Sequence, residues 1–154
     1  MRQINDFISK FNASVSLDRD LIVKKDGRYF LLDRKLKSLI RKHFLYAGTY
    51  LGKEESDTFF PSFNLLAMIA QTDANKIIVD KKSEWLFICG RDIFKRGITR
   101  MSKPGRKGDC TLILNEYGDC LGFGRILRHM DVEDENKITV KNIADIGDFL
   151  RRER

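Results

Sequence analysis

Residues 85–98 read WLFICGRDIFKRGI, which joins a short apolar run, a glycine and a group of basic residues. The apolar run belongs to a short amphipathic helix or turn predicted over 81–89, which contains Trp85. Gly90 follows as a left-handed residue, a conformation that glycine adopts at helix ends without steric cost. The pattern therefore predicts a helix that ends in a positively charged glycine loop.

The residues around this loop predict many short strands with glycine between them. A tight hairpin is expected at Tyr117-Gly118-Asp119. The predicted strands are 76–80, 109–115, 120–129, 138–140 and 146–150. Short, evenly spaced strands with turn residues between them are typical of a small β-barrel. We expect this barrel over 76–154.

The first 75 residues predict an α/β domain. A helical stripe over 4–11 precedes two β-rich runs around Asp26-Gly27, a dipeptide typical of hairpins. Asp33 is predicted to cap a helix over 34–43, with Leu36, Leu39 and Ile40 buried. Further predictions are a strand over 44–53, its continuation at Phe59 and Phe60, and a helix opened by Pro61-Ser62 that buries Leu65, Leu66, Met68 and Ile69. The polar residues 73–75 place a domain boundary at about residue 75.

Composition excludes several classes of protein. The chain has 154 residues, of which 42% are hydrophobic and 33% charged, and this is typical of a folded globular protein. The longest apolar run, 65–70, is far shorter than the roughly 20 residues that cross a bilayer. The N-terminus shows no secretory signal pattern. We expect a cytoplasmic protein without a membrane partner.

No motif predicts catalysis, a cofactor or a metal site. The cysteines Cys89, Cys110 and Cys120 lie in apolar stretches without CxxC spacing, and we expect them to be reduced core residues. His43 and His129 lie near no cysteine, which argues against zinc. Gly122-Phe123-Gly124 lacks the third glycine of a dinucleotide site, and we interpret it as a strand whose glycines permit close packing.

The charge pattern suggests a phosphate-bearing partner. The net charge is +7, and residues 91–107 hold seven basic residues against Asp92 alone. Glycines in this tract would let backbone N–H groups approach phosphates. The terminal Arg151, Arg152 and Arg154 add a second cluster, with Arg152 and Arg154 on one face if the chain is extended. An acidic stretch at 131–135 would repel phosphate. Charge alone leaves nucleic-acid binding about as likely as its absence.

Four short motifs occur in the order found in one known family. They are AGTYLGK at 47–53, residues 85–98, LGFG at 121–124, and ADIGDFLR at 144–151. Residues 85–98 resemble the helix-and-glycine-loop signature of the PUA domain, an RNA-binding pseudo-barrel. The whole set resembles the Nip-seven family of ribosome biogenesis proteins, which archaea and eukaryotes share. The basic tail, with Arg96 and Arg106, favours an archaeal-type member.

The resemblance implies an α+β fold, with an α/β pre-PUA domain of antiparallel sheet and helices over 1–75 and a PUA pseudo-β-barrel over 76–154. It also implies a non-catalytic factor without cofactors that acts in large-subunit biogenesis and pre-rRNA processing. Its partners would be single-stranded uridine- or adenine-rich RNA, together with pre-ribosome or exosome proteins. Family positions that contact RNA match Arg151 and Arg152, with Arg154 nearby.

Our hypothesis extends this phosphate track over the glycine loop, with contacts from Arg91, Lys95, Arg96 and Arg100. Two alternatives remain. The PUA fold would serve a protein-interaction adaptor that binds no RNA, or it would belong to an RNA-modifying enzyme. Residues 1–75 are too few for the separate catalytic domain that such an enzyme requires.

Overall fold

The computed structural model describes residues 1–40, 44–128 and 134–152, which form helices and two β-sheets. The elements of the N-terminal half are α1 (Arg2–Ser9), β1 (Ile22–Lys25), β2 (Arg28–Leu31), α2 (Arg34–Leu39), β3 (Thr49–Glu55), β4 (Thr58–Pro61) and α3 (Phe63–Ala70). Those of the C-terminal half are β5 (Lys76–Val79), α4 (Lys81–Ile88), β6 (Ile93–Phe94), β7 (Ile98–Met101), β8 (Cys110–Leu114), β9 (Cys120–Ile126), β10 (Ile138–Asp145) and α5 (Ile146–Arg152). No helix of the described residues is long and apolar enough to cross a membrane.

The N-terminal sheet is an antiparallel meander in the order β1-β2-β3-β4. The predicted hairpin at Asp26-Gly27 is confirmed, and both residues have positive φ, 49° and 73°, as a type I′ turn requires. The predicted cap at Asp33 is confirmed as well, and Ser62, at the predicted start of the third helix, is also a cap. The Asp33 side chain accepts a hydrogen bond from the Leu36 N–H, and the Ser62 side chain accepts one from the Leu65 N–H.

The C-terminal sheet has six strands in the order β6-β10-β9-β8-β5-β7, with only the β5–β8 pair parallel. Its two edge strands, β6 and β7, are separated in sequence by a single 3₁₀ turn, Lys95–Gly97. This short connection bends the sheet into a nearly closed barrel. The barrel interior holds an apolar cluster whose fully buried members include Val79, Phe87, Ile113 and Val140.

The outer face of this sheet is also apolar, and the N-terminal half covers it. Leu112 and Phe123 belong to one buried cluster with α1 and α3. The rings of Phe7 and Phe123 lie 5.5 Å apart, centroid to centroid, in an edge-to-face arrangement. The Asn75 N–H also donates to the Phe11 carbonyl at 2.9 Å. The apolar cluster therefore crosses residue 75, and the division into 1–75 and 76–154 stays a prediction.

The two glycines of 122–124 permit close packing, as predicted. A Cβ on Gly122 would collide with the Ala144 carbonyl, and one on Gly124 would lie 2.5 Å from the Lys141 carbonyl. Gly122 also has a φ of +146°, which side chains rarely adopt. Strands β9 and β10 therefore depend on glycine at these positions.

Two predictions in the N-terminal half are wrong. The strand predicted over 44–53 begins only at Thr49. The rings of Phe44 and Tyr46 instead pack edge-to-face against Phe30, and Gly48 turns the chain with a φ of 64°. The predicted burial of the apolar side of α2 is also wrong, because Leu36 and Ile40 are only half-buried and Leu39 is exposed. The α2 helix ends at Leu39, and the Leu39 side chain is 74% exposed.

Several residues named in the predictions lie outside the described residues: Arg41, Lys42 and His43 of the predicted helix, then His129, Asp131 and Glu133. Met68, which was expected to be buried, is half-buried.

The predicted C-terminal strand is a helix. Residues 146–152 form α5, and the Asp145 side chain accepts a hydrogen bond from the Asp148 N–H at 2.7 Å, which is the geometry of a helix N-cap. Arg151 and Arg152 are its last two residues, and Arg154 lies outside the described residues. Arg151 and Arg152 therefore lie in a helix and not in an extended strand, and the predicted strand face shared by Arg152 and Arg154 includes a residue outside the described part of the chain.

The three cysteines occupy three different environments. Cys110 is buried and Cys120 is half-buried, whereas Cys89 is exposed at the end of α4, so its assignment to the core is wrong. The helix ends at this point, and its buried side faces the barrel through Phe87. Desolvation raises the pKa of the Cys120 thiol to about 11.

Removing one side chain of the shared cluster should destabilise both halves. Phe7→Ala should lower the free energy of unfolding by about 3–5 kcal/mol, since a buried ring is lost and a cavity remains. The exposed Leu39→Ala variant, as control, should change it by less than about 0.5 kcal/mol. Urea unfolding followed by tryptophan fluorescence and by circular dichroism measures both. Separate transitions for the two halves would contradict a shared core.

The N-terminal sheet should lose stability in acid through Glu54. The Lys24 ammonium, 2.7 Å from this carboxylate, and the Tyr29 hydroxyl, 2.6 Å away, both donate to it and hold the Glu54 pKa below its ordinary value of 4.5. A lowered pKa gives stability above pH 4.5 that is lost as pH falls through the folded-state value.

The stability difference between the wild type and Glu54→Gln, measured by urea unfolding from pH 7 to pH 3, should therefore shrink below about pH 4.5. The exposed Glu116→Gln variant serves as control and should show a smaller change. A difference that stays constant with pH would count against the network.

Candidate functional site

The predicted glycine loop is the C-terminal cap of α4. Gly90 has a φ of 86°, its N–H donates to the Phe87 carbonyl at 2.8 Å, and the Arg91 N–H donates to the Leu86 carbonyl at 2.9 Å. These two bonds form a Schellman motif, in which a left-handed glycine closes the helix. The cap fixes the point where Arg91 leaves the helix.

Asn142 of β10 joins this loop to the start of α5. Its side-chain amide donates to the Phe87 carbonyl at 2.9 Å and to the Asp145 carboxylate at 3.1 Å. Its backbone N–H donates to the Asp92 carboxylate at 2.8 Å. Asp145, only 4% exposed, caps α5 at the same time. The end of α4, the Arg91 loop and the first turn of α5 are therefore held by one polar network.

The backbone amides of the loop are already used. Those of Gly90 and Arg91 close the helix, while the Lys95 N–H donates to the Lys137 carbonyl and the Arg96 N–H to the Glu135 carbonyl, both at 3.1 Å. The expected cradle of backbone N–H groups for phosphate is therefore wrong at these four positions. Any phosphate contact there must come from side chains.

Two other glycines of the tract serve packing. A Cβ on Gly97 would collide with the Ser83 hydroxyl of α4, and one on Gly105 would collide with the Ile126 side chain. Both glycines are buried. They bring backbone close to side chains of the barrel, so they offer no phosphate approach.

The predicted basic side chains lie at separate places. Arg91 follows α4, whereas Arg100 projects from the edge strand β7, and both are exposed. Arg96 is exposed too, its guanidinium lies 5.4 Å from the Phe94 ring centroid, and it donates to the Asn136 side chain at 3.0 Å. Lys95 is half-buried.

Acidic groups border Arg96. Its loop neighbours Asp134 and Glu135 are exposed, and Asp134 forms an ion pair of 3.3 Å with Lys137. The Asn136 N–H and the Lys137 ammonium hold the pKa of Asp134 below its ordinary value. Arg96 is therefore held against a loop that carries two carboxylates, whereas the loop at Arg91 adjoins α5, the helix that ends in Arg151 and Arg152.

Helices α4 and α5 each carry an exposed apolar side chain. Trp85 on α4 is 68% exposed and Leu150 on α5 is 62% exposed. We call the face formed by α4, the Arg91 loop and α5 the α4–α5 face. Its elements carry an exposed aromatic ring, on α4, and arginine positions, in the loop and on α5, and these are two side-chain types that contact single-stranded nucleic acid.

Sequence reasoning missed the positioning residues Asn142, Asp92 and Asp145. Asp145 carried a readable signal, since an acidic residue three positions before Asp148 and a run of helical spacing is typical of an N-cap. Asn142 had no such signal, because its partners Asp92 and Phe87 lie 50 and 55 positions away in sequence. The described residues contain no cluster of His, Cys, Asp and Glu suited to a metal ion.

A nearly closed six-stranded sheet beside a helix that ends in a glycine-capped loop is the architecture of a PUA-domain protein. The chain belongs to the UPF0113 PUA-domain family, whose model matches residues 75–154. The predicted α+β class, the PUA pseudo-barrel and the resemblance to the Nip-seven family are confirmed.

Relatives occur in archaea and in a vertebrate. A UPF0113 protein of Archaeoglobus fulgidus is 33% identical over 113 residues, which cover 71% of this chain and 63% of that protein. The 60S ribosome subunit biogenesis protein NIP7 homolog of Danio rerio is 28% identical over 135 residues, which cover 83% of this chain and 75% of that one. A conserved PUA domain protein from Thermoplasma acidophilum has a TM-score of 0.60 at 19% identity, over 99% of this chain and 92% of its own.

Removing the Asn142 side chain should loosen the α4–α5 face. Asn142→Ala leaves the buried Phe87 carbonyl and Asp145 carboxylate without this donor, which should cost about 1–3 kcal/mol of stability. Hydrogen exchange should become faster at Arg91, Asp92 and residues 146–152. Asn64→Ala, at an exposed position of α3, is the control. Unchanged exchange around α5 would show that Asn142 does not hold the two helices together.

Proposed function

We propose that the protein is a non-catalytic RNA-binding factor of large ribosomal subunit biogenesis and pre-rRNA processing, and that it binds single-stranded RNA through its PUA domain, residues 76–154. Membership of the PUA-domain family supports RNA binding. The ribosome-biogenesis role is supported by the relative from Danio rerio, which is described as a 60S subunit biogenesis protein. Uridine- or adenine-rich RNA is the ligand we expect.

The α4–α5 face is the observation that carries the proposal. The Asn142 network fixes the Arg91 loop against α5, and Arg151 and Arg152 occupy the last turn of that helix. Guanidinium groups fork onto phosphate oxygens. The exposed Trp85 offers a ring on which an unpaired base stacks. This combination favours single strands, because bases in a duplex are already stacked and paired.

The predicted basic residues do not all lie close together, so we give them unequal parts in the proposed phosphate track. Arg91, Arg151 and Arg152 belong to the α4–α5 face, whereas Arg100 projects from β7 and Arg96 lies among acidic groups. We therefore assign the first three the main phosphate contacts, and Lys95, Arg96, Arg100 and Arg154 an extension of the track.

The second candidate is a protein-interaction adaptor to pre-ribosome or exosome proteins. It is favoured by the exposed apolar side chains of the same face, Trp85 and Leu150, which would pack against a partner protein. In that case the arginines would surround an apolar contact, and their removal would leave RNA binding unaffected because there is none.

Fluorescence anisotropy with labelled oligouridine, oligoadenosine and a duplex separates the two candidates. Binding should favour single strands and, with about three phosphates contacted, its log–log salt slope should be about −2. Arg151→Ala/Arg152→Ala should lose most of this binding. Arg34→Ala/Lys35→Ala, which removes two exposed charges from α2, should keep it.

Absence of binding to every RNA at low salt would overturn the proposal and favour the adaptor. Equal loss in both double variants would mean that net charge alone carries the binding. A salt slope near zero would contradict phosphate contacts.

A further inference from the structure

A groove of about 510 Å³ lies between the N-terminal half and the outer face of the PUA sheet. Cys110, Phe123 and Ala144 of the sheet line it, and α1 contributes Phe7. Residues 58–63, at β4 and the start of α3, contribute to the opposite lining. The volume falls within the range of small-molecule pockets, about 300–1,000 Å³.

A row of cations crosses the groove side of the sheet. Cys110, Arg125 and Lys141 are directly opposite one another on β8, β9 and β10. Lys10, the C-cap of α1, lies beside Cys110, because its carbonyl accepts the Cys110 N–H at 3.1 Å, and Lys10 also lines the groove. Burial raises the pKa of the Cys110 thiol, the positive charges of Arg125 and Lys10 oppose this rise, and the more weakly acting carboxylate of Asp109 adds to it. Lys10 and Arg125 therefore concentrate positive charge at one end of the groove.

Without a bound anion, repulsion within this row of basic residues lowers the stability of the sheet. Like charges directly opposite on neighbouring strands destabilise a sheet, and Arg125 and Lys141 are such a pair. Among the described residues, neither of them nor Lys10 forms an ion pair with a carboxylate. A bound phosphate would remove the repulsion, which gives the row a physical role as an anion site.

The other side of the groove is aromatic. Phe60 is 40% exposed although it lies in a strand, and the Lys53 ammonium is 5.7 Å from its ring centroid. Tyr50 and Phe63 line the groove and are half-buried. An exposed ring beside a cation is the arrangement on which nucleic-acid bases stack.

The carboxylates of the groove define its polarity. Asp145 and Asp148 line the end formed by α5, and both are engaged in the helix cap. Along β10, Asp145 lies four residues beyond Lys141, about 13 Å for an extended strand. A phosphate is therefore excluded from the α5 end and attracted to the end lined by Lys10 and Arg125, beside which Lys141 lies as the cross-strand neighbour of Arg125.

We propose that this groove binds one unpaired nucleotide of a single-stranded RNA, with the base against Phe60 and Tyr50 and the phosphates along Lys10, Arg125 and Lys141. The proposal rests on the proposed RNA binding and adds a second contact outside the α4–α5 face. An apolar peptide would use the rings but not the cations, whereas a nucleotide uses both. The net charge of +7 also favours the polyanion.

Matched variants test the groove in the same anisotropy assay with oligouridine. Arg125→Gln should weaken binding and reduce the magnitude of the salt slope by about 0.7, the value for one phosphate of a single strand. Phe60→Ala should weaken binding about tenfold at an unchanged salt slope, because stacking carries no charge. Lys35→Gln and Tyr117→Ala, an exposed cation and an exposed ring outside the groove, should bind like the wild type.

Photocrosslinking of the unaltered protein to thiouridine-containing RNA gives a second readout that does not depend on any variant. Peptides containing Tyr50 or Phe60 should carry the crosslinked nucleotide. Crosslinks only to peptides outside the groove would overturn the proposal.

The outcomes also separate this inference from the proposed function. If the wild type binds RNA and both groove variants bind like their controls, the groove is not a nucleotide site and the α4–α5 face remains. If the groove variants lose RNA binding and Arg151→Ala/Arg152→Ala keeps it, the groove is the principal site and the assignment to the α4–α5 face is wrong. If the wild type binds no RNA, both proposals are overturned.

Discussion

The structure depends on the fact that the PUA sheet is apolar on both faces. Along β8, Leu112 faces the N-terminal half and its neighbour Ile113 faces the barrel interior, and neither is accessible to solvent. One face is buried by closure of the barrel, but the other must be covered by α1 and α3. This requirement explains why Phe7 and Phe11 contact Phe123 across more than 100 positions of sequence, and why the groove lies where that cover ends.

Local chemistry made much of the fold predictable. The Asp26-Gly27 turn, the caps at Asp33 and Ser62, and Gly90 at the end of α4 each depend on residues within a few positions of one another. The predictions failed where distant contacts decide the conformation. Residues 44–48 do not join the sheet, because the rings in this segment pack on Phe30. The apolar residues of α5 are equally compatible with a short strand, and the helix is favoured by the cap at Asp145.

The candidate site was less predictable than the fold. Charge in the sequence located Arg91, Arg96 and Arg100, but it could not show that Arg91 follows the cap of α4 whereas Arg100 lies in the edge strand β7, or that Arg96 contacts the loop of Asp134 and Glu135. The row through Arg125 and Lys141 was not foreseen, because single basic residues in two strands become neighbours only when the strand register is known. Tertiary pairing, not composition, creates both the α4–α5 face and the groove.

The Schellman cap at Gly90 makes folding and ligand affinity separable traits. Its hydrogen bonds join backbone groups only, so this cap does not depend on the Arg91 side chain. Exchange of Arg91 for a neutral residue would alter what the loop attracts while its backbone geometry persisted. A protein with this frame can therefore change its surface charge at Arg91 without rebuilding the loop, and two proteins that share the backbone need not share a ligand.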